Sequence, residues 1–152
     1  MNEQHDEALE ELKRADHLVF VTLKYTRTAD VIKNAIKRLI NACDFIIIEA
    51  LEHAKNKRKI KSIPLTPRSR CEMLETIIKD NRIKEFVRFY NLLKKIDKAE
   101  YTKKNEYRKH VALIAIDENG KNLDVDIVTL VSYFERTRDY VFVMKSWIRG
   151  EL

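Results

Sequence analysis

From about His5 to Tyr25 apolar residues return every three or four positions, at Ala8, Leu12, Ala15, Val19 and Leu23, with Glu10, Lys13, Arg14 and Lys24 between them. A repeat near 3.6 residues turns one helical face to a core and the other to water, so this segment is predicted as an amphipathic helix. Thr26, Arg27, Thr28 and Asp30 are poor helix-interior residues, and a kink or tight turn is expected among them. Thr28 is the expected N-cap of the next helix, with Asp30 in its first turn facing the positive end of the helix dipole. From Ala29 to about Asn56 the stripe Ile32, Ile36, Leu39, Cys43, Ile46, Ala50 and Ala54 is widened by Ile40, Ile47 and Leu51. A helix of about 40 Å with so broad an apolar face must be covered by several partners, which marks it as the central element.

Beyond a linker ending at Pro64, Thr66 and Pro67 read as N-cap and first residue of a third helix, with Ser69 and Glu72 an alternative capping box. That helix runs to about Asp80 on Cys71, Leu74, Ile77 and Ile78, and a fourth follows on Ile83, Phe86, Val87, Tyr90, Leu93 and Ile96. From Ala99 to His110 the chain stays helical in propensity but turns polar, with Tyr101 and Tyr107 as its large anchors. Then the period changes. Val111 to Ile116 is a β-branched apolar run, and Leu123, Val125 and Ile127 alternate with Asp124 and Asp126, the two stretches flanking Asn119-Gly120. This predicts a small β-hairpin near 111–126, against the competing expectation of a helix continuing to Ile116. A last helix is expected from Asp126 to about Trp147. Its aromatic run Tyr133, Phe134, Tyr140, Phe142 and Trp147 points around the helix, as core or dimer contacts do.

Composition sharpens this picture. Only two glycines and two prolines occur in 152 residues, so long helices meet few breakers. The reading is a single domain spanning 1–152, an antiparallel bundle of about five to six helices, with a basic linker at 55–66 inside it. Cys43 and Cys71 lie on apolar stripes and are expected as reduced core thiols in a cytoplasmic protein. No apolar run approaches the roughly twenty residues of a membrane span, and the acidic stretch Met1 to Glu11 lacks the character of a secretion signal. The net charge of +6 is local: Lys55, Lys57, Arg58, Lys59, Lys61, Arg68 and Arg70 stand together without Asp or Glu. Such a strip attracts phosphates without sequence specificity, and Lys57, Arg58, Lys59, Lys61, Arg68 and Arg70 are its candidate nucleic-acid contacts. The bland alternative is a solvated linker.

Most site chemistries find no support. None of His5, His17, His53 and His110 follows a Glu by three positions, as carboxylate-bridged metal sites in bundles require. The cysteines are too few for a zinc knuckle, so no metal or cofactor is expected. Two glycines cannot furnish a Gly-rich phosphate loop or a nucleophile elbow, and a phosphate would have to meet side chains or helix N-termini. The candidate left is Lys103-Lys104-Asn105-Glu106-Tyr107-Arg108-Lys109-His110. An imidazole acid/base beside cations that hold a phosphodiester is what metal-free RNA cleavage needs, because the ribose 2′-OH supplies the nucleophile. On one helix Lys104 and His110 stand about 240° apart, so they converge only if the helix ends between them or two subunits share the site. A polar group of His17, Tyr25 and Arg27 at the first helix junction reads as caps and snorkelling side chains.

The layout Lys104, Asn105 and then His110, after two long and two shorter helices, resembles the all-helical HEPN superfamily. Its members carry an Arg, usually a polar residue next, and a His four to six positions beyond. Lys104 stands here in place of the Arg, and the hairpin lies outside that layout. The resemblance covers residues 5–148 in order of elements. It implies an RNA-binding or metal-independent RNA-cleaving protein, or a partner of a nucleotidyltransferase. His110 would be the acid/base, Lys104 and Arg108 the phosphate contacts and Asn105 an orienting residue. With this goes the expectation of a homodimer that binds RNA or another polyanion and no membrane. The rival of a different class is a non-enzymatic helical interaction protein, the partner or antitoxin-like half of a two-gene module. It predicts that the stripes on 29–56 and 126–147 leave an apolar patch outside the core.

Overall fold

Asp6 opens the first helix, α1 (Glu7–His17), where its carboxylate accepts a hydrogen bond from the Leu9 N–H at 3.1 Å. The structure is a computed structural model that describes residues 6–150; the expected helix start at His5 lies outside the described residues. After α1 the chain continues as a π-helical turn, Leu18–Thr22, and a last short turn, α2 (Leu23–Tyr25). A π turn holds one more residue than an α turn and rotates the apolar stripe relative to the core. Val19 and Leu23 stay buried, whereas Phe20 and Val21 are 40% and 41% exposed.

Thr28 caps α3 (Ala29–Asn56) as expected, its side chain accepting from the Val31 N–H at 3.2 Å. The broad stripe of α3 is absorbed on several sides, because α1, α4, α5, α6 and β2 all pack on it. The buried Glu11 ties α1 to it, accepting from Arg14 at 2.5 Å, Asn41 at 2.7 Å and Arg38 at 3.2 Å. Past its end, the Lys59 N–H reaches the Ala54 carbonyl (2.9 Å) and the Arg58 N–H the Lys55 carbonyl (3.0 Å). Arg58 therefore takes the left-handed position, φ 60°, that ordinarily selects glycine.

The linker that follows is pinned by Arg70, whose guanidinium donates to the carbonyls of Pro64 (2.9 Å) and Leu65 (3.1 Å). Thr66 caps α4 (Pro67–Ile77) through the Ser69 N–H, and Asp80 caps α5 (Asn81–Lys98) through the Arg82 N–H. Both caps sit where short polar side chains can satisfy the unpaired first-turn donors.

From Ala99 onward the fold departs from the helical expectation. Glu100–Lys104 form β1, which pairs antiparallel with β2 (Ala112–Ile116), and β2 pairs antiparallel with β3 (Asn122–Asp126). The hairpin near 111–126 is present, and β1 adds a third strand in the order β1-β2-β3. The physical reason is non-local. Tyr101, opposite the buried Ala115, is half-buried, while Glu100, Thr102, Lys103 and Lys104 are exposed. A strand this polar carries little apolar alternation of its own and is held by pairing to β2. In the turn between β2 and β3, Asp117 accepts from the N–H groups of Asn119 and Lys121, and Gly120 supplies a φ of 77°.

Asp126 caps the last helix, α6 (Ile127–Ile148), by accepting from the Thr129 N–H at 2.7 Å. Its aromatic residues serve mainly the core: Phe134 packs on Phe20, Tyr133 on Phe89, Tyr140 on Phe86 and Phe89, and Trp147 on His53. Phe142 is the exception, 51% exposed. The architecture is thus mainly helical with a small three-stranded antiparallel sheet. No helix among the described residues is long and apolar enough to cross a membrane.

Candidate functional site

The four residues of the Lys104 to His110 candidate lie at the end of β1 and on the connection from β1 to β2, not on a helix. Lys104 closes β1 opposite Ala112, and the segment after it folds into two tight turns. The Arg108 N–H donates to the Asn105 carbonyl (3.0 Å) and the Val111 N–H to the Arg108 carbonyl (3.1 Å). Asn105 and Tyr107 adopt positive φ, 55° and 64°, which lets so short a segment reverse. The Asn105 amide donates to the His110 carbonyl at 3.2 Å, closing the loop on itself. The geometric obstacle to joining Lys104 and His110 therefore disappears in a way the helical reading did not contain: they flank one closed loop. Asn105 spends its amide on the His110 backbone, so its place is structural within the loop.

Two contacts dock this loop on the start of α3. Glu106 Oε2 accepts from the Ala29 N–H at 2.8 Å, a second side-chain cap beside Thr28, and the Tyr107 N–H donates to the Arg27 carbonyl at 2.6 Å. The sheet is fastened to the same helix end. Asp30 accepts from the Tyr101 hydroxyl (2.7 Å) and Lys103 (3.2 Å), and these hydrogen bonds hold its carboxyl below the ordinary range. Lys103 also lies 3.8 Å from Glu106. Both carboxylates of this corner are thus engaged by backbone, Tyr101 or Lys103. Lys104, Arg108, Lys109 and His110 are exposed, and among the described residues no hydrogen bond or ion pair engages their side chains. His110 contributes a small Coulombic pull on the Asp126 carboxyl, whose lowering comes first from the Thr129 N–H.

The basic linker lies at the opposite end of α3, about 40 Å away for a helix of this length. Lys57, Arg58 and Lys61 are exposed, and Lys59 places its ammonium 5.8 Å from the Trp147 ring. Arg68 pairs with Glu72 at 3.7 Å, while Arg70 is committed to the linker carbonyls. The two basic regions are therefore separate, and a ligand touching both would span the long axis of α3.

A groove of about 790 Å³ lies elsewhere again, between α4, α5 and the adjoining ends of β1 and β2. Cys71, Val87, Ala99 and Ile116 line it together with Glu72, Glu75, Lys94 and Lys98, and of the candidate site residues Arg68 reaches it. Burial pushes the Cys71 thiol up to about 11 and raises Cys43 as well, which makes both poor nucleophiles. Behind the groove the Tyr90 hydroxyl donates to Asp44, whose carboxyl is raised by burial, and Lys94 covers the Tyr90 ring at 4.6 Å. Among the described residues no group of three or more His, Cys, Asp and Glu side chains is placed to hold a metal.

Sequence reasoning missed Glu106 as the anchor of the loop, because its partner Ala29 lies 77 residues away. It also read Tyr25 and Arg27 apart from Tyr107, although the Tyr107–Arg27 backbone bond puts them at one corner. No family model, curated protein or solved structure matches the chain.

Proposed function

We propose that this protein is an HEPN-like helical protein that binds RNA at the corner formed by the β1–β2 loop and the start of α3. The observation that supports the reading is the imbalance of charge there. Among the described residues Lys104, Arg108 and Lys109 have no carboxylate partner, while Asp30 and Glu106 are turned to the fold's own needs. Unneutralised cations on a fixed loop meet phosphates at no cost of broken ion pairs. On this reading Lys104 and Arg108 hold the backbone and His110 is the acid/base of any metal-free cleavage. The reaction would be attack by the ribose 2′-OH on the neighbouring phosphorus with loss of the 5′-oxygen. Asn105 positions His110 through its carbonyl.

The test is the salt dependence of affinity for a fluorescent RNA oligomer. Each lost phosphate contact in Lys104→Ala, Arg108→Ala and Lys109→Ala should flatten the log-log slope by about 0.7. Unchanged affinity and slope in all three would remove the proposal. Incubation with RNA in chelator tests cleavage separately: intact RNA, or equal cleavage by His110→Ala, removes His110 from that role.

A second reading, the interaction protein that dimerises or joins a partner such as a nucleotidyltransferase, is favoured by Phe20, Val21 and Phe142, which are 40%, 41% and 51% exposed. A salt-insensitive complex in light scattering, without RNA affinity, selects it.

A further inference from the structure

We infer that Tyr25 and Tyr107 form a base-stacking site at this corner, which makes the ligand a single strand with unpaired bases. The inference rests on the RNA-binding reading and deepens it. These are the two most exposed aromatic side chains among the described residues, 84% and 75% accessible, whereas Phe20 and Phe142 reach 40% and 51%. An aromatic ring left in water forgoes the stabilisation of burial, and two of them at one place stand out against a core that takes up Phe86, Phe89, Tyr90 and Phe134.

Both rings are carried on restrained backbone. Tyr25 ends α2 and is followed by the Thr26 N–H bond to the Thr22 carbonyl at 2.8 Å. Tyr107 is held at φ 64°, an unfavourable conformation for a bulky residue, between the Glu106 cap and its own N–H bond to the Arg27 carbonyl. Thr26 alone separates Tyr25 from Arg27, so their Cα atoms lie at most about 7 Å apart, and the Tyr107–Arg27 backbone bond sets Tyr107 beside that segment. The same segments carry Lys24 and Arg27 at the junction and Lys104, Arg108 and Lys109 at the loop, none in an ion pair among the described residues.

Aromatic faces interleaved with free cations are what a single strand recognises, since phosphates meet the cations and each exposed base offers a π-face. In a duplex those faces are covered by neighbouring bases, and only the phosphate contacts remain.

The experiment compares an unpaired RNA 12-mer with the same sequence annealed to its complement, by fluorescence anisotropy, for the wild type and four variants. Tyr25→Ala and Tyr107→Ala should each weaken single-strand binding between about 5-fold and 150-fold while leaving the salt slope and duplex affinity unchanged. Tyr25→Phe and Tyr107→Phe keep the ring and should bind within about 2-fold of wild type. Because both side chains are exposed, unfolding midpoints should not move, which separates a lost contact from a damaged fold. Single-strand affinity that survives both alanine variants, while Lys104→Ala and Arg108→Ala lose it, overturns the stacking site and leaves RNA binding standing. Absence of binding to either RNA overturns both.

Discussion

Replacing Glu106 by Ala should cost about 1 to 2 kcal/mol of stability, although the residue sits on a surface loop. Its carboxylate accepts from the Ala29 N–H at 2.8 Å, and Ala29 is fully buried. The first four N–H groups of a helix have no partner within it, and at α3 Thr28 serves that of Val31. Without Glu106 the Ala29 donor is stranded, a loss of about 1 to 3 kcal/mol for a buried group. The upper part of that range is discounted because the Glu106 side chain is 26% exposed and water can enter. Glu106→Gln separates the two contributions. It keeps an acceptor oxygen and loses the negative charge facing the helix N-terminus, a loss of about 0.3 to 1 kcal/mol. Urea unfolding read as ΔG, with a thermal midpoint falling about 2 to 4 °C per kcal/mol, measures both variants. RNA affinity should fall with stability in the Ala variant, since the loop then keeps only the Tyr107–Arg27 anchor. If Gln costs as much as Ala, charge alone matters and the capping argument fails. If neither variant moves the midpoint, the loop is not fastened through Glu106 at all.

Glu11→Ala should cost about 2 to 3 kcal/mol in the same assay, because a buried carboxylate leaves Arg14, Arg38 and Asn41 without their acceptor. Burial alone would raise the Glu11 carboxyl, but hydrogen bonds from Arg14, Asn41 and Arg38 outweigh it and hold the group below its ordinary 4.5. Its stabilisation is therefore complete above pH 4.5 and lost as pH falls through the lowered folded value, so the variant's stability should vary less with pH in that acid range. Arg58→Gly should raise stability by about 0.5 to 1 kcal/mol, since φ 60° strains any residue with a Cβ; a loss would show that the arginine side chain matters more than its backbone. Cys71, with its thiol pushed up to about 11, should react with a disulfide reagent at pH 8 about 100-fold more slowly in the native protein than an unperturbed thiol, and faster as pH rises. Native labelling of Cys71 at the unfolded rate would contradict its burial.

The helices and their caps were legible because each depends on residues close in sequence. Thr28, Thr66 and Asp126 cap through N–H groups three positions on, and the stripe from Ile32 to Ala54 is periodic over its whole length. Asn119-Gly120 marked the β2–β3 turn for the same reason, since Gly120 provides the positive φ that turn requires. β1 was hidden. Glu100, Lys103 and Lys104 favour helix locally, and only pairing to β2 offsets that preference. Of the candidate site, the identities of Lys104, Arg108 and His110 were legible, but their backbone was not. The linker's Arg70 was legible as a cation, but not its hydrogen bonds to the carbonyls of Pro64 and Leu65.

By itself the sequence determined the main helices and their caps, and that no Gly-rich loop can cradle a phosphate, which leaves side chains or helix N-termini to meet one. Those are local properties, decided by periodicity, capping and φ preference. Tertiary structure alone decided that the basic linker and the Lys104 to His110 loop lie at opposite ends of α3. It also decided that Glu106 caps a helix 77 residues away, and that Tyr107 joins Arg27 and Tyr25 at one corner. Such contacts form between groups whose separation along the chain carries no periodic signal. Only the packed core around α3 brings them within hydrogen-bond reach.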